Sequence, residues 1–209
     1  MNGILSVFKE HRIEKIIERS RFIATCVHAE GEEDSRAFIA RIRSEFSDAT
    51  HNCFAFVADQ TGNLLRFSDD GEPQGTAGVP ILEAIRGRKL FQTAVVVTRY
   101  FGGVKLGAGG LVRAYAGAAG ECLDGAEKRS FELCARFAVT VGYELVDSVK
   151  RFLNGYDCTL SDIEYADKVR LTVAVRASGA ESFERKLTDF ALGRVALEKA
   201  GEFIYPFEI

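Results

Sequence analysis

The spacing of apolar residues changes several times along the first half of the chain. The segment Arg21–His28 is predominantly apolar and predicts a strand, whereas Glu32–Phe46 has apolar residues at helical spacing and predicts a helix. Asn52–Ala58 alternates between apolar and other positions, a turn follows at Gln60–Asn63, and Leu64–Phe67 is apolar again. We therefore expect the last three segments to form a β-hairpin.

The next segment, Ser68–Gly78, has the composition of a loop. Thr76 is a suitable N-cap for a following helix that should end at Gly87. Gln92–Tyr100 is an almost continuous run of β-branched residues, which predicts a strand buried on both faces. Gly107–Leu123 predicts a helix that is unusually rich in glycine and alanine.

The pattern of elements starts again after a polar segment, Asp124–Arg129, which we interpret as a linker. The second half predicts the order β-α-β-β-α-β, which is the ferredoxin-like arrangement. Its predicted strands are Phe131–Val141, Cys158–Tyr165, Val169–Arg176 and Ala200–Phe207, and its predicted helices are Leu145–Gly155 and Ser178–Asp189, the latter with Ser178 as N-cap. The sequence thus predicts an α+β protein of two domains, residues 1–128 and 129–209.

The overall composition is that of an ordinary globular protein, with 209 residues, 47% hydrophobic residues and a formal net charge of -3. No apolar run reaches the roughly 18 residues of a membrane helix, and no secretory signal precedes the first strand, so we expect a cytoplasmic protein with no membrane partner. The five cysteines are widely spaced and form no C-x-x-C pair, which favours free thiols over disulfides or a zinc site.

The charge distribution is uneven in one region. No Asp or Glu occurs between Ala84 and Gly120, and eleven of the 20 glycines lie between positions 71 and 120. The acid-free stretch contains six cations: Arg86, Arg88, Lys89, Arg99, Lys105 and Arg113. A basic, glycine-rich region therefore interrupts a nearly neutral chain.

This region predicts an anion-binding site. A helix beginning near Gly107 would direct its positive end and free N–H groups at the anion, and Arg99, Lys105 and Arg113 would add full charges, with Arg86 and Arg88 nearby. Tyr100 and Phe101 are suited to stacking on a nucleic-acid base. The alternative is structural, because the glycines also suit tight turns and close packing, and the cations also suit a solvated face.

The acidic residues Asp69, Asp70 and Glu72 precede the basic region and have three interpretations. They are turn and capping residues, partners of the arginines, or, for the aspartates, ligands of a Mg²⁺ beside a phosphate. His51 has the chemistry of a general base, but a structural histidine in a hairpin is the more common case. We predict Ser68, Thr76, His51 and the three acids to support the anion site, with no catalytic residue, metal or cofactor assigned.

Three blocks of this region resemble the YigZ/IMPACT family. They are Thr50–Cys53 (THNC), Ser68–Pro80 (SDDGEPQGTAGVP) and Val97–Tyr115 (VTRYFGGVKLGAGGLVRAY), and the second departs from the family pattern at Gln74, where Ser is common. The resemblance implies an N-terminal domain with the fold of the second domain of ribosomal protein S5. It also implies a ferredoxin-like C-terminal domain similar to the last domain of elongation factor G.

Both of those structural relatives contact RNA or the ribosome, so the resemblance favours an RNA-binding or ribosome-binding protein linked to translation. The starvation-response role of eukaryotic members is not transferred, since they carry a different partner domain. A proline dipeptidase activity is also discounted, because the three histidines are scattered along the chain. Two alternatives stay open: a Mg²⁺-dependent phosphoester enzyme at Asp69 and Asp70, and a protein-interaction module. The oligomeric state is not predicted.

Overall fold

The computed structural model describes residues 3–209, and the chain divides into two compact units. The N-terminal unit comprises Ile4–Ser130 and Phe207–Ile209, and the C-terminal unit comprises Phe131–Pro206 together with Gly3. The protein is thus an α+β protein with two domains and two antiparallel sheets, as the sequence predicts at this coarse level.

Among the described residues, the N-terminal unit contains three helices and six complete strands. Its elements are β1 (Ile4–Val7), β2 (His11–Ile17), β3 (Ser20–His28), α1 (Gly31–Glu45), β4 (His51–Val57), β5 (Leu65–Ser68), α2 (Gly78–Gly87), β6 (Thr93–Tyr100) and α3 (Gly107–Gly125). Five of these strands form an antiparallel sheet in the order β2-β3-β6-β4-β5, so β6 is central. In the register of this sheet, Val97 of β6 faces Ala24 of β3 and Cys53 of β4.

The central strand β6 supplies side chains to a separate core on each face of the sheet. Val95 and Val97 belong to the core beneath α2 and α3, while Ala94 and Val96 belong to the core beneath α1. This division follows from the alternation of side chains along a strand. It confirms the prediction that the β-branched run is buried on both faces and gives the unit three layers, with α1 on one side of the sheet and α2 and α3 on the other.

The C-terminal unit follows the predicted order of elements. They are β7 (Lys128–Val141), α4 (Val146–Asn154), β8 (Cys158–Tyr165), β9 (Val169–Arg176), α5 (Ala180–Phe190) and β10 (Ala196–Phe207), with single 3-10 turns before α4 and α5. β9 lies between β7 and β8, and β10 also pairs with β7. Both amphipathic helices bury apolar residues against one face, among them Val149, Phe183 and Leu187.

Several local predictions differ from the structure. Neither Thr76 nor Ser178 is an N-cap, because α2 begins after Ala77 and α5 after Gly179 and no side chain of the cap residue bonds there. The predicted linker is largely ordered, since α3 extends to Gly125 and β7 begins at Lys128. The short strand β1 had no prediction. The domain boundary predicted from the sequence, between residues 128 and 129, lies two residues before the boundary between the compact units, which falls between Ser130 and Phe131.

Candidate nucleic-acid interface

The loop Ser68–Thr76, which we call the acidic loop, is organised around the carboxylate of Asp69. One oxygen, Oδ1, accepts hydrogen bonds from the backbone N–H groups of Ala77 and Gly78, at 3.0 and 2.8 Å, and Oδ2 accepts from Gly75 at 2.8 Å. The N–H groups of Ala77 and Gly78 lie at the N-terminus of α2, where the side chain of the cap residue accepts no hydrogen bond. Asp69 therefore caps the helix from the preceding loop.

The electrostatics of Asp69 agree with this capping role. Partial burial raises the pKa of its carboxyl group, but the hydrogen bonds from Gly75, Gly78 and Ala77 outweigh burial and hold the pKa below the ordinary value. The carboxylate is thus stabilised as an anion by the backbone that surrounds it.

Asp70 also makes its contacts within the protein. Its Oδ2 accepts the backbone N–H of Asn52 at 2.7 Å and its Oδ1 pairs with Arg43 at 2.6 Å. Its carbonyl oxygen accepts a hydrogen bond from Nδ1 of His51 at 2.8 Å, which assigns the proton of a neutral His51 to Nδ1. Ser68 supports the turn, since its hydroxyl accepts the N–H of Asp70 at 3.1 Å. Asp70 and His51 therefore fasten the acidic loop to β4.

Glu72 connects the acidic loop to the basic segment. Its Oε1 lies 2.6 Å from Nη1 of Arg99 and accepts the hydroxyl of Tyr115 at 2.7 Å, and Nε2 of His51 lies 3.9 Å away. Both members of the ion pair are buried, with Arg99 only 5% exposed. A buried pair of this kind holds its two elements in register but leaves Arg99 without a free positive charge.

The Arg99 guanidinium is enclosed by aromatic and polar neighbours. It lies over the rings of Phe22 and Phe101, 5.4 Å from each centroid, and its Nη2 donates to the hydroxyl of Ser20 at 3.2 Å. Its Nε is buried and has no hydrogen-bond partner among the residues the structure describes. One N–H of a buried cation is thus left without an acceptor, which is costly unless a ligand or water supplies one.

Cys53 belongs to the same polar cluster but is not suited to nucleophilic chemistry. Its Sγ donates to the carbonyl oxygen of Asp69 at 2.9 Å, and burial raises the pKa of the thiol to about 12. The thiolate is the reactive form of cysteine, so this group stays neutral and inert near pH 7.

The connection from β6 to α3 requires glycine at two positions. A Cβ on Gly102 would lie 1.9 Å from the carbonyl oxygen of Arg19, and Gly107 begins α3 with a φ of +67°. No side chain of its cap residue caps α3, and no acid lies in its first turn, so no carboxylate of the helix itself compensates its leading N–H groups.

Two adjoining cavities flank this helix start and share Lys105 and Leu106. The first, about 460 Å³, also contacts Ile17, Glu18, Val104, Gly110, Arg113 and Ala114. The second, about 240 Å³, is the one we call the helix-start cavity, and it is also lined by Glu72, Pro73, Arg99, Phe101, Gly107, Ala108 and Leu111. The acidic loop and the basic segment therefore meet in one place, at the N-terminus of α3.

Lys105 and Arg113 are the cations that this region presents to solvent. Both are exposed, and within residues 3–209 neither has a carboxylate at ion-pair distance. Glu18 contributes one acidic group to the larger cavity that they line. Together with the uncapped end of α3, the two side chains give this surface a positive character.

The other predicted cations and Tyr100 do not join this surface. Arg88 forms a two-pronged pair with Asp124 at the far end of α3, with both distances 2.6 Å, and Arg86 pairs with Glu83 at 2.9 Å. The hydroxyl of Tyr100 donates to Asp48 at 2.7 Å, and Arg21 covers its ring. A helix rises about 1.5 Å per residue, so Arg88 and Lys105 are separated by most of the length of α3.

Metal ligation has little support in this geometry. Among the described residues, no group of three or more His, Cys, Asp and Glu side chains is arranged to hold a metal ion. Tyr115 and Ser20, which bond to Glu72 and Arg99, were not predicted from the sequence as site residues. The only available signal was the position of Tyr115 at the end of a distinctive block.

Sequence comparisons assign this architecture to a family. The profile of the Impact N-terminal domain matches residues 18–123, and that of a domain of unknown function (DUF1949) matches residues 139–194. The chain is 36% identical to the IMPACT family member YvyE of Bacillus subtilis, over 94% of this chain and 89% of that protein. The chain belongs to the IMPACT family.

Other IMPACT family members agree over a similar extent. YigZ of Escherichia coli is 36% identical over 87% of this chain and 90% of its own, and a member from Thermus thermophilus is 40% identical over 88% and 99%. A crystal structure of a hypothetical protein matches with a TM-score of 0.61 and 33% identity, over 96% of this chain and 98% of that one. None of the described helices combines the length and apolar character needed to span a bilayer.

Proposed function

We propose that this protein binds RNA, either free or within the ribosome, in translation or its regulation. The observation that carries the proposal is the surface at the start of α3, where Lys105 and Arg113 are exposed and unpaired among the described residues. The N-terminus of α3 beside them has no acidic residue in its first turn. Phosphate oxygens are the acceptors that such a combination of cations and free N–H groups favours.

We also propose a named fold for each of the two domains. We assign the N-terminal domain to the fold of the second domain of ribosomal protein S5, and the C-terminal domain to the ferredoxin-like fold, similar to the last domain of elongation factor G. The second assignment is supported by the order β-α-β-β-α-β and by the strand order β7-β9-β8, with β10 also pairing with β7.

The geometry favours RNA binding over phosphoester chemistry at the aspartates. Asp69 caps α2 and Asp70 bonds to Asn52 and Arg43, so both carboxylates already have partners in the protein. A Mg²⁺ ion would have to displace these interactions. Glu72 is likewise engaged, by Arg99 and Tyr115.

The test measures the binding of a labelled single-stranded RNA by fluorescence anisotropy across a series of salt concentrations. The double variant Lys105→Gln, Arg113→Gln should bind more weakly, and its plot of log affinity against log salt should be shallower by about 1.4, or about 0.7 for each lost phosphate contact. Arg99 is left intact, since its removal would leave Glu72 buried without a cation.

The matched control is Arg86→Gln with Lys89→Gln, which removes the same charge from exposed positions near the other end of α3. We expect this control to keep the wild-type affinity and salt dependence. Equal affinities for the wild type and the Lys105, Arg113 double variant would contradict the proposal. A protein partner retained from a lysate after nuclease treatment, by a chain that binds no RNA, would instead favour the protein-interaction alternative.

A further inference from the structure

The helix-start cavity has a chemical environment that the proposed surface contacts do not use. It lies at the N-terminus of α3, a helix of 19 residues, and includes Gly107 and Ala108 of the first turn. The first N–H groups of a helix have no partner within the helix. In this helix no side chain of the cap residue supplies one.

Arg99 gives independent evidence that the cavity is built for an acceptor. Its side chain is only 6% exposed, it lines the cavity, and its Nε has no partner among the described residues. Buried side-chain donors are almost always satisfied, so an orphaned one beside an uncapped helix end indicates a missing acceptor. The residues that line this small space thus include a buried cation with an unpaired N–H and the uncapped start of α3.

The charges around the cavity favour an anion. Glu72 is the acidic residue in its lining, and its Oε1 already accepts from Arg99 and Tyr115. That pairing neutralises one positive and one negative charge, which leaves Lys105 and the helix end to determine the sign. The three charged residues of the lining, Glu72, Arg99 and Lys105, therefore sum to one positive charge.

The size of the helix-start cavity suits a small group. Its volume of about 240 Å³ is below the roughly 300–1,000 Å³ typical of pockets that enclose drug-sized molecules. A phosphate group fits such a space, whereas the sugar and base of a nucleotide would extend beyond it. Phe101 lines the cavity and is 47% exposed.

An exposed aromatic ring beside a phosphate-sized cationic cavity provides the second half of a nucleotide site. Aromatic rings stack on bases of any sequence, and stacking is most accessible to bases that are not paired in a duplex. The guanidinium of Arg99, 5.4 Å from the centroid of Phe101, helps to hold the ring in place.

We infer that the helix-start cavity is a subsite for one unpaired nucleotide, with its phosphate on the N–H groups of α3 and Arg99 and its base on Phe101. The inference rests on the proposed function for its ligand class, and it narrows that class from RNA in general to single strands. The phosphate can come from a strand or from a free mononucleotide, and the experiment separates these sources.

The first experiment uses the full chain labelled with ¹⁵N and follows its amide and arginine Nε resonances. Inorganic phosphate, added against sodium chloride of equal ionic strength, should shift the signals of Gly107, Ala108 and Arg99 Nε. Uridine 5′-monophosphate should shift the same signals and also the ring protons of Phe101. An absence of shifts at α3 and Arg99, or shifts spread evenly over the surface cations, would overturn the inference.

The second experiment compares Phe101→Leu with Phe67→Leu, a matched control because Phe67 is 46% exposed and lies on β5, outside the cavity lining. Phe101→Leu should lower the affinity for oligouridylate by about tenfold, within the range for the loss of one stacked base, and leave the phosphate shifts unchanged. The control should bind as the wild type does. An unchanged affinity in Phe101→Leu would refute the base position.

The two proposals fail in different ways. If oligouridylate binds and requires Lys105 and Arg113, but phosphate leaves the signals of α3 unchanged, the RNA-binding function stands and the subsite is wrong. If the mononucleotide shifts the α3 signals but no oligonucleotide binds, the cavity is a site for free nucleotides and the RNA-binding function is wrong. Competition between oligouridylate and phosphate for the same signals would support both.

Discussion

The capping role of Asp69 predicts a large loss of stability in Asp69→Ala. Three backbone N–H groups lose a charged acceptor, and two of them, at Ala77 and Gly78, are buried, whereas that of Gly75 is exposed to water. A buried donor without a partner costs about 1–3 kcal/mol, and water replaces the third bond, so the N-terminal unit should lose about 3 kcal/mol. Because the chain has two units, hydrogen exchange of the amides of β6 is the appropriate measurement. It should accelerate by roughly a hundredfold.

The matched control is Glu83→Ala, also on α2, which removes only an exposed pair with Arg86. An exposed pair contributes about 0–1 kcal/mol, so exchange should change little. Equal exchange rates in the two variants would refute the capping role.

The effect of Asp69→Ala should also depend on pH. Burial raises the pKa of Asp69, but the backbone hydrogen bonds lower it more, so the folded value lies below the ordinary one. The stabilisation is therefore complete above the ordinary pKa of about 3.9 and is lost as the pH falls through the lower folded value. A difference between wild type and variant that stayed constant at acidic pH would contradict this account.

Three further predictions concern packing, a buried hydrogen bond and thiol reactivity. Gly102→Ala should lower the melting temperature followed by circular dichroism, because its Cβ would lie 1.9 Å from a backbone carbonyl oxygen. The control Gly117→Ala has open space around the new methyl group and should be neutral or stabilising. Equal melting temperatures for the two variants would count against the close approach at Gly102. Tyr115→Phe should cost about 1–3 kcal/mol in urea unfolding, because Glu72 loses a buried donor, and an unchanged midpoint would contradict this. Burial raises the pKa of Cys53 to about 12, so iodoacetamide at pH 8 should leave it unmodified in the folded chain, as peptide mass spectrometry would show; rapid alkylation would contradict its burial.

Much of the fold is predictable from sequence because its strands have clear local patterns. The predicted bounds of β8 and β9 agree with the structure at both ends, since turns delimit these strands. The strand β1 has only four residues and no predicted hairpin partner, whereas the equally short β5 follows a turn that joins it to β4. The cap of α2 was mispredicted because a local rule considers only neighbouring residues, whereas Asp69 reaches α2 from nine residues before Gly78.

The site was predictable only where its residues are close in sequence. Lys105, Gly107 and Arg113 lie on one segment, so their proximity follows from a single helix start. The pairing of Arg88 with Asp124 joins residues 36 apart and depends on how α2 packs beside α3. The acid-free window of the sequence therefore overstates the local positive charge, because acids from outside the window neutralise several of its cations.

The attachment of Glu72 to β6 and α3 has a consequence for the thermodynamics of binding. Restricting a flexible backbone costs about 1–2 kcal/mol of conformational entropy per residue at 25 °C. The acidic loop is already restrained in the folded chain, by Asp69, Asp70 and Glu72. A ligand at the start of α3 therefore binds beside a loop that loses little further conformational entropy. A change that made the acidic loop more mobile, such as Tyr115→Phe, would weaken binding without removing any group that contacts the ligand.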